Sequence, residues 1–178
     1  IPLDGFEEVH DRFRGVQGAW RRTCQGIRKC VVEGIDTCIA LTAMRCNLSE
    51  IPKLIDFAEQ ELGAKRAIVF NYIPVGRGKE IMDEDLSPEE RYELLKYIYT
   101  RMMGSKCKLL CYSTAPQYSM VSWEFAYGSH EGGIVATHFT SENVIRALQG
   151  RTKSLAEFLG GCGAGRIYCG LDPNGDIT

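Results

Sequence analysis

The sequence lacks the features that assign a chain at once to several broad classes of protein. Its 21 lysine and arginine residues are balanced by 23 aspartate and glutamate residues, so the net charge of -2 gives no indication of a nucleic-acid or membrane surface. No apolar run approaches the roughly 20 residues that a membrane span needs. The three histidines are scattered and form neither an H-x-x-x-H metal motif nor a Ser-His-Asp arrangement. What remains is a globular chain with room for one domain and a sizeable core.

The eight cysteines do not indicate a disulfide framework. They are dispersed through predicted helices and strands rather than placed between loops. This distribution is typical of reduced thiols or metal ligands in a reducing compartment, so we expect the protein to be cytoplasmic. Cysteines in regular elements are usually small buried apolar residues, which is the interpretation for Cys24, Cys30, Cys38 and Cys46.

The clearest structural pattern lies between residues 35 and 78, which read as strand, helix, strand and glycine-containing loop. Strands are predicted at residues 37–42 and 67–70, the second a continuous apolar run typical of parallel strands covered on both faces. The helix between them is predicted from Ser49 or Glu50 to Leu62. Its apolar residues recur with helical spacing at Ile51, Leu54, Ile55, Ala58 and Leu62.

The same alternation of helix, glycine and strand occurs on both sides of this unit. Ile1-Pro-Leu3 reads as the tail of a strand, an irregular segment is predicted at residues 6–18, and a helix follows to Glu33. Ser87-Pro-Glu-Glu90 has the serine, proline and glutamate of a helix start with a capping box. Residues 108–112 read as the next strand. The alternation predicts an α/β fold with a parallel sheet.

Polar residues follow the ends of the predicted strands. The carboxyl ends of parallel strands meet at one edge of a sheet, where α/β proteins place their binding sites. Thr42 and Asn47 follow the first strand, and Asn71, Pro74 and Gly76-Arg-Gly78 follow the second. The two glycines let the backbone approach a planar ligand or an anion, although a plain tight loop is the commoner explanation.

A second polar group, Asp4-Gly5, His10-Asp11 and Arg14-Gly15, follows the N-terminal strand end. A carboxylate there suits a ribose or an ammonium group. Arg14 suits a carboxylate, because a planar guanidinium donates two parallel hydrogen bonds. Taken by themselves, these residues are explained more simply by a capped turn with solvated charges.

The C-terminal residues have a different character. Helices are predicted near residues 117–128, 141–148 and 154–159, and Gly160-Gly161 predicts a boundary. Cys162-Gly-Ala-Gly-Arg-Ile-Tyr-Cys169 then places two cysteines beside glycine-rich backbone, which favours an iron–sulfur ligand role. A zinc site, which needs about four ligands, and two structural cysteines in a loop are the alternatives.

Taken together, these residues resemble the radical S-adenosylmethionine (SAM) superfamily, in the branch with a C-terminal auxiliary-cluster module of SPASM or twitch type. The matching segments occur in the expected order over nearly the whole chain: Leu3-Asp-Gly5, His10-Asp-Arg-Phe-Arg-Gly15, Gly26-Ile27, residues 42–47, Asn71-Tyr-Ile-Pro-Val-Gly-Arg-Gly78, Cys162-Gly-Ala-Gly165 and Pro173-Asn-Gly-Asp176. The resemblance implies that residues 1–160 are the C-terminal half of a partial (β/α)6 TIM-like barrel with linker helices. Residues 161–178 would begin the small cysteine-containing module.

The resemblance also implies roles for particular residues. Asp4 and Thr42 would lie near the ribose and methionine part of SAM, and Arg14 would meet its carboxylate. The loop from Asn71 to Gly78, which includes Pro74 and Gly76, would back the adenine. Cys162 and Cys169 would be ligands of an auxiliary iron–sulfur cluster, with Cys162 the favoured one.

In this family a 4Fe-4S cluster reduces SAM, and the resulting 5'-deoxyadenosyl radical abstracts a hydrogen atom from the substrate. The implied partners are SAM, an electron donor such as ferredoxin or flavodoxin, and a substrate that is a peptide, a tetrapyrrole or another small molecule. No nucleic acid or membrane partner is expected. No catalytic side chain can be named from the sequence.

Two departures from the family pattern affect this interpretation. Pro2 occupies a position where many relatives have serine, and the C-x3-C-x2-C triad that holds the catalytic cluster is absent. We therefore expect the triad upstream of Ile1, in a longer protein, and expect this fragment to be inactive by itself. The alternatives are a non-catalytic α/β ligand-binding domain and a zinc-binding interaction module.

Overall fold

The computed structural model describes residues 1–104, 108–115, 117, 118, 121 and 124. In chain order the elements are α1 (Glu7–Arg14), α2 (Ala19–Val32), β1 (Cys38–Ala43), α3 (Arg45–Leu48), α4 (Ile51–Gln60), β2 (Arg66–Asn71), a 3-10 segment (Gly76–Glu84), α5 (Pro88–Met103) and β3 (Leu110–Ser113). None of the helices described is both long enough and apolar enough to cross a membrane.

The strands form a parallel sheet in the order β1-β2-β3. Ala43, at the end of β1, is in register with Asn71, at the end of β2. The N-terminal residues add a further parallel bridge, in which Pro2 pairs with Ala40 and the Leu3 N–H donates to the Ala40 carbonyl at 2.8 Å. The predicted α/β fold with parallel strands is therefore confirmed, while the strand count of a barrel stays a prediction.

The β1-α4-β2 unit forms as its sequence pattern predicts. Four of the five predicted apolar residues lie on α4 and the fifth, Leu62, lies just beyond it; all five are buried. Pro52 sits in the first turn, where its missing N–H costs little. Gly63 adopts the left-handed conformation (φ +72°) just after the helix, which a residue with a Cβ adopts only with strain.

The start of α5 is fixed by the predicted capping box. The Glu90 N–H donates to Ser87 Oγ at 3.1 Å, and the Ser87 N–H donates to Glu90 Oε2 at 2.7 Å. Farther along the helix, Leu95 and Ile98 are buried in the core shared with β1, β2 and α4. Local sequence thus sets where α5 begins, and core packing sets which of its faces is covered.

The prediction of an irregular segment at residues 6–18 is wrong, because residues 7–14 form α1. This helix carries acidic residues in its first turn and basic residues in its last, as the helix dipole favours. Gly15 ends it in the left-handed conformation (φ +66°). An apolar pattern did not reveal the helix, because its buried residue is a histidine, His10.

The predicted helix at residues 117–128 is observed at the four described positions, 117, 118, 121 and 124. The remainder of that helix, the helices predicted near residues 141–148 and 154–159, and the boundary predicted at residue 160 lie outside the described residues.

Candidate functional site

A fully buried carboxylate, that of Asp4, lies where the N-terminal residues that pair with β1 reach the end of that strand. Its Oδ1 accepts a hydrogen bond from the Thr42 N–H at 3.1 Å. Its Oδ2 forms an ion pair with a terminal nitrogen of Arg14, a close charge contact without the alignment of a regular hydrogen bond. Asp4 therefore joins β1 to the C-terminal end of α1.

Arg14 connects this buried carboxylate to the surface. Its side chain remains 38% exposed, and its guanidinium carbon lies 5.6 Å from the centre of the Phe13 ring. A guanidinium has five N–H donors and the side chain is partly exposed, so Arg14 suits a second, external anion as well as Asp4.

Asn47 ties the two strand ends together from the first turn after β1. Its Nδ2 donates to the carbonyl oxygens of Asp4 and Thr42, each at 2.8 Å, and its Oδ1 accepts from the Met44 N–H at 2.9 Å. Asn47 is completely buried. Its amide thereby satisfies two carbonyls and one N–H that would otherwise be buried without partners.

Asp11, the residue after His10, holds the start of α2. Its carboxylate accepts the N–H groups of Trp20 and Gly18 at the start of α2, and these bonds, that of Trp20 foremost, lower the pKa of the carboxyl group. Asp11 therefore caps a turn, as the simpler interpretation of the polar residues after the N-terminal strand end predicted. The cap fixes the turn that joins α1 to α2, and with it the end of α1 that carries Arg14.

His10 is buried beside Asp4. Its Nδ1 accepts the Asp4 backbone N–H at 3.1 Å and lies 3.7 Å from Asp4 Oδ2. Burial lowers the pKa of the imidazole and outweighs the opposite influence of the Asp4 and Asp11 carboxylates, while Arg14 lowers it further. The ring is therefore neutral near pH 7.

Asn71 lies at the same edge of the sheet, opposite the end of β1. Its backbone N–H donates to Thr114 Oγ1 at 2.9 Å, and its side-chain oxygen accepts from Arg91. Arg91 also donates to Asp85 Oδ1 at 2.7 Å. Asn71 thus connects β2 to the residue after β3 and to the chain just beyond the 3-10 segment.

The loop after Asn71 presents apolar side chains to solvent. Pro74 and Gly76 are exposed, as are Ile73 (63%) and Val75 (67%). The loop is held by the Tyr72 hydroxyl, which donates to the Gly78 carbonyl. An anchored loop with exposed aliphatic groups offers a contact surface for a planar apolar group.

The 3-10 segment that follows is tethered to α3. The Cys46 N–H donates to Glu84 Oε2 at 3.1 Å, and Arg45 donates to the Asp83 carbonyl at 2.8 Å. Burial and the Glu84 carboxylate raise the pKa of the Cys46 thiol, so this cysteine is a neutral thiol near pH 7. The loops after β1 and β2 are therefore bound to each other.

In the structure Asp4 contacts both Arg14 and Thr42, and Asn71 lies at the same strand edge. Pro74 and Gly76 lie on the loop that leaves this edge, whereas Cys162 and Cys169 lie outside the described residues. Within the described part of the chain, no group of three or more His, Cys, Asp or Glu residues is arranged to hold a metal ion.

Two contributors to the site were missed by sequence reasoning. Arg91 contacts Asn71 from α5, and Glu50 accepts the Phe6 N–H from a position 44 residues away. No local pattern marks either residue, since each acts on a distant part of the chain. Asn47 was recognised as an edge residue, but its hydrogen bonds to both strand ends became visible only in the structure.

Comparison with known proteins finds several similar enzymes. The chain is 36% identical over 119 residues to the AdoMet-dependent heme synthase of Methanosarcina barkeri, a match that covers 66% of this chain and 33% of the relative. It is 34% identical over 101 residues to the Fe-coproporphyrin III synthase of the same organism (57% and 25%). It is also 34% identical over 101 residues to the antilisterial bacteriocin subtilosin biosynthesis protein AlbA of Bacillus subtilis (54% and 22%).

These relatives are radical SAM enzymes. The chain is therefore similar to radical SAM enzymes over one part of their length. No protein-family model matches it. The chain spans at most a third of the length of these three relatives, so each match concerns only one part of the relative.

Proposed function

We propose that this chain supplies the SAM-binding edge of a radical SAM enzyme. The observation that carries the proposal is the 38% exposed side chain of Arg14, whose guanidinium a buried carboxylate holds at the carboxyl edge of a parallel sheet. Such an edge is where α/β folds bind their ligands. The similarity to radical SAM enzymes supports the choice of SAM as that ligand.

The residues present fit the charged part of SAM. The free donors of Arg14 match the carboxylate of the methionine moiety in charge and planar geometry. Asp4 is completely buried, and both of its carboxylate oxygens are engaged by protein groups. In this proposal Asp4 acts through Arg14 and the end of β1 at Thr42, so that the guanidinium is oriented before SAM arrives.

The residues after β2 fit the other end of the ligand. Ile73 and Val75 expose aliphatic groups beside Pro74 and Gly76, and Asn71 anchors the loop to the sheet. Adenine is a planar group that gains from burial against such side chains. The proposal assigns this loop to the adenine side and Arg14 to the carboxylate side of one SAM molecule.

The family's chemistry requires a reduced 4Fe-4S cluster, which supplies the electron that cleaves SAM into methionine and a 5'-deoxyadenosyl radical. We assign the ligands of that cluster to a C-x3-C-x2-C triad elsewhere in the whole enzyme and its reduction to a ferredoxin- or flavodoxin-type donor. The work of the described residues is to bind SAM and hold it in one orientation.

The substrate proposed first is a tetrapyrrole. Two of the relatives above are named as synthases of heme or Fe-coproporphyrin III, and both match this chain over more than half of its length. A peptide is the second candidate, because AlbA is named for the biosynthesis of the bacteriocin subtilosin. AlbA matches this chain at 34% identity, the same value as the Fe-coproporphyrin III synthase. Assay of the whole enzyme with an iron porphyrin and with a precursor peptide separates the two.

The decisive experiment is an anaerobic SAM titration of the whole protein with Arg14→Ala. Removing one partner of a charge contact costs about 2 kcal/mol or more, so the dissociation constant should rise about 30-fold. The matched control is Arg21→Ala, which removes an arginine whose ion pair with Glu7 lies on the surface. Arg14→Lys, which keeps the charge without the planar fork, should recover part of the affinity.

Unchanged SAM affinity in folded Arg14→Ala would remove Arg14 from the site. Complete absence of SAM binding by the wild-type protein, with its cluster reconstituted, would favour the non-catalytic ligand-binding domain instead. Folding of each variant is confirmed by circular dichroism before titration, and Arg14→Lys decides the question if Arg14→Ala does not fold.

The proposed auxiliary cluster is tested separately at Cys162 and Cys169. Cys162→Ala should lower the iron and sulfide content of the anaerobically purified protein, whereas Cys30→Ala, which removes a half-buried thiol of α2, should not. Zinc without sulfide in the wild-type protein would favour the zinc-binding module.

A further inference from the structure

The backbone of the Asp4-Gly5-Phe6 turn is held by two side chains from other parts of the fold. The Asp4 N–H donates to His10 Nδ1 at 3.1 Å, and the Phe6 N–H donates to Glu50 Oε2 at 2.8 Å. Neither N–H has a place in the sheet, since the bridge to β1 lies at Pro2 and Leu3. The direction of the chain at Asp4 therefore depends on these side chains.

Gly5, which lies between Asp4 and Phe6, is closely packed. A Cβ atom added to Gly5 would lie 2.7 Å from Val9 Cγ1 and 2.8 Å from Glu50 Oε2. Val9 belongs to α1, and Glu50 directly precedes α4. The turn is thus enclosed between two helices, and a change in one of its side-chain contacts is expected to move Asp4.

The hydrogen bond from Asp4 defines the chemical state of His10. A backbone N–H is always a donor, so Nδ1 must carry a lone pair and the ring proton must sit on Nε2. A proton on Nδ1 would remove this acceptor. It would also place a second cation 3.7 Å from Asp4 Oδ2, the oxygen that pairs with Arg14.

We propose that His10 is a positioning residue for SAM binding: its neutral Nδ1 fixes Asp4 so that the Asp4 carboxylate holds Arg14 toward the ligand. This inference rests on the proposed function and names a residue that acts through Asp4 without touching SAM. His10, Asp4 and Arg14 form a chain of contacts that begins in the core and ends at the partly exposed side chain of Arg14.

The charges around His10 are those of Asp4, from the N-terminal strand, and of Asp11 and Arg14, from its own helix. Glu50 faces the same turn from the start of α4. The Asp4 and Asp11 carboxylates favour an imidazolium, but burial of the ring outweighs both, and the Arg14 charge opposes it as well.

The test compares three replacements of His10 in the whole protein. Asn carries its amide oxygen near the place of Nδ1, Gln carries it near the place of Nε2, and Phe keeps the ring shape without an acceptor. SAM affinity is measured by anaerobic equilibrium titration at pH 7, at a temperature where each variant is folded by circular dichroism. Unfolding midpoints are measured alongside.

We expect His10→Phe and His10→Gln to weaken SAM binding by about tenfold, as loss of one buried hydrogen bond implies. His10→Asn should stay within about threefold of the wild type, because it retains the acceptor. A purely structural role would lower the unfolding midpoint of all three variants and leave their SAM affinities equal to that of the wild type, which would overturn the inference. If His10→Phe does not fold, the comparison of Asn with Gln decides.

Arg14→Ala, titrated in parallel, separates this inference from the proposed function. If Arg14→Ala weakens SAM binding and the three His10 variants do not, the positioning role of His10 is wrong while the SAM site stands. If Arg14→Ala leaves SAM binding unchanged, both proposals fail.

Discussion

Asn47 donates a side-chain N–H to the carbonyl oxygen of Asp4 at 2.8 Å, across 43 residues of sequence. The same amide nitrogen donates to Thr42, so one side chain satisfies the end of β1 and the turn beside it. Asn47 and Asp4 are fully buried, and their bond holds the turn whose Asp4 carboxylate pairs with Arg14.

Replacing Asn47 should therefore destabilise the protein strongly. Asn47→Ala leaves the carbonyls of Asp4 and Thr42 and the N–H of Met44 without their partner, for an expected loss of about 3 kcal/mol in the free energy of unfolding. Asn47→Asp should be worse, since an acceptor would then face two carbonyl oxygens. Urea denaturation measures both, with Gln60→Ala as the exposed amide control; a loss below about 0.5 kcal/mol would contradict the network.

The Asp4–Arg14 ion pair predicts that substitutions of the two residues have non-additive effects on the free energy of unfolding. Arg14→Ala leaves a buried carboxylate without its counter-charge, at a cost of about 2 kcal/mol, a value reduced by the 38% exposure of the arginine. Asp4→Asn in the Arg14→Ala background removes that buried charge, so it should recover at least about 1 kcal/mol. Strictly additive effects of the two substitutions on the unfolding free energy would show that the pair is not coupled.

Gly5 and Gly26 predict opposite responses to alanine. Gly5→Ala places a Cβ 2.7 Å from Val9 Cγ1, so it should destabilise the protein by about 2 kcal/mol. Gly26→Ala, in the interior of α2 with no atom within 4 Å of the new Cβ, should stabilise it by up to about 1 kcal/mol. Thermal denaturation compares them, and equal shifts of the two midpoints would refute the close contact at Gly5.

His10 predicts a loss of stability as the pH falls. Burial lowers the pKa of the folded imidazole below its ordinary value of 6.5, so the unfolded chain binds more protons between the two pKa values. The contribution of His10 is then complete above pH 6.5 and is lost as the pH falls from there through the folded pKa. Asp11 and Glu90, whose pKa values are also lowered, lose their contributions only below about pH 4.5.

Urea denaturation at several values between about pH 7 and about pH 5 measures this dependence. His10→Asn should flatten the profile in that range, because an amide does not titrate. A slope that survives in the variant would assign the pH dependence to another group.

The sequence predicted the elements whose signals are local. The apolar face of α4 and the reciprocal bonds of Ser87 and Glu90 lie within one or a few turns of their own helices, and both were found as predicted. The helix α1 was missed because it lacks such local signals. Its buried residue is polar, and the N–H at its start is satisfied by Glu50, far along the chain.

For the candidate site, too, the sequence predicted one aspect and missed another. The rule that parallel strands end at one edge was enough to place Asp4, Thr42 and Asn71 together. The contacts that orient them come from His10, Asn47 and Arg91, each supplied by a different helix. Such contacts depend on how the helices pack, and a pattern of residue types along the chain does not encode that directly.

The hydrogen bond from Phe6 to Glu50 sets an order of events during synthesis. The ribosome adds residues at roughly 5 to 20 per second, so Glu50 is made roughly 2 to 9 seconds after Phe6. Until then the first turn of α1 lacks its partner, and a helix of eight residues is too short to persist in water without tertiary support. Arg14, at the other end of the same helix, is therefore made before the contact that holds the start of α1 can form.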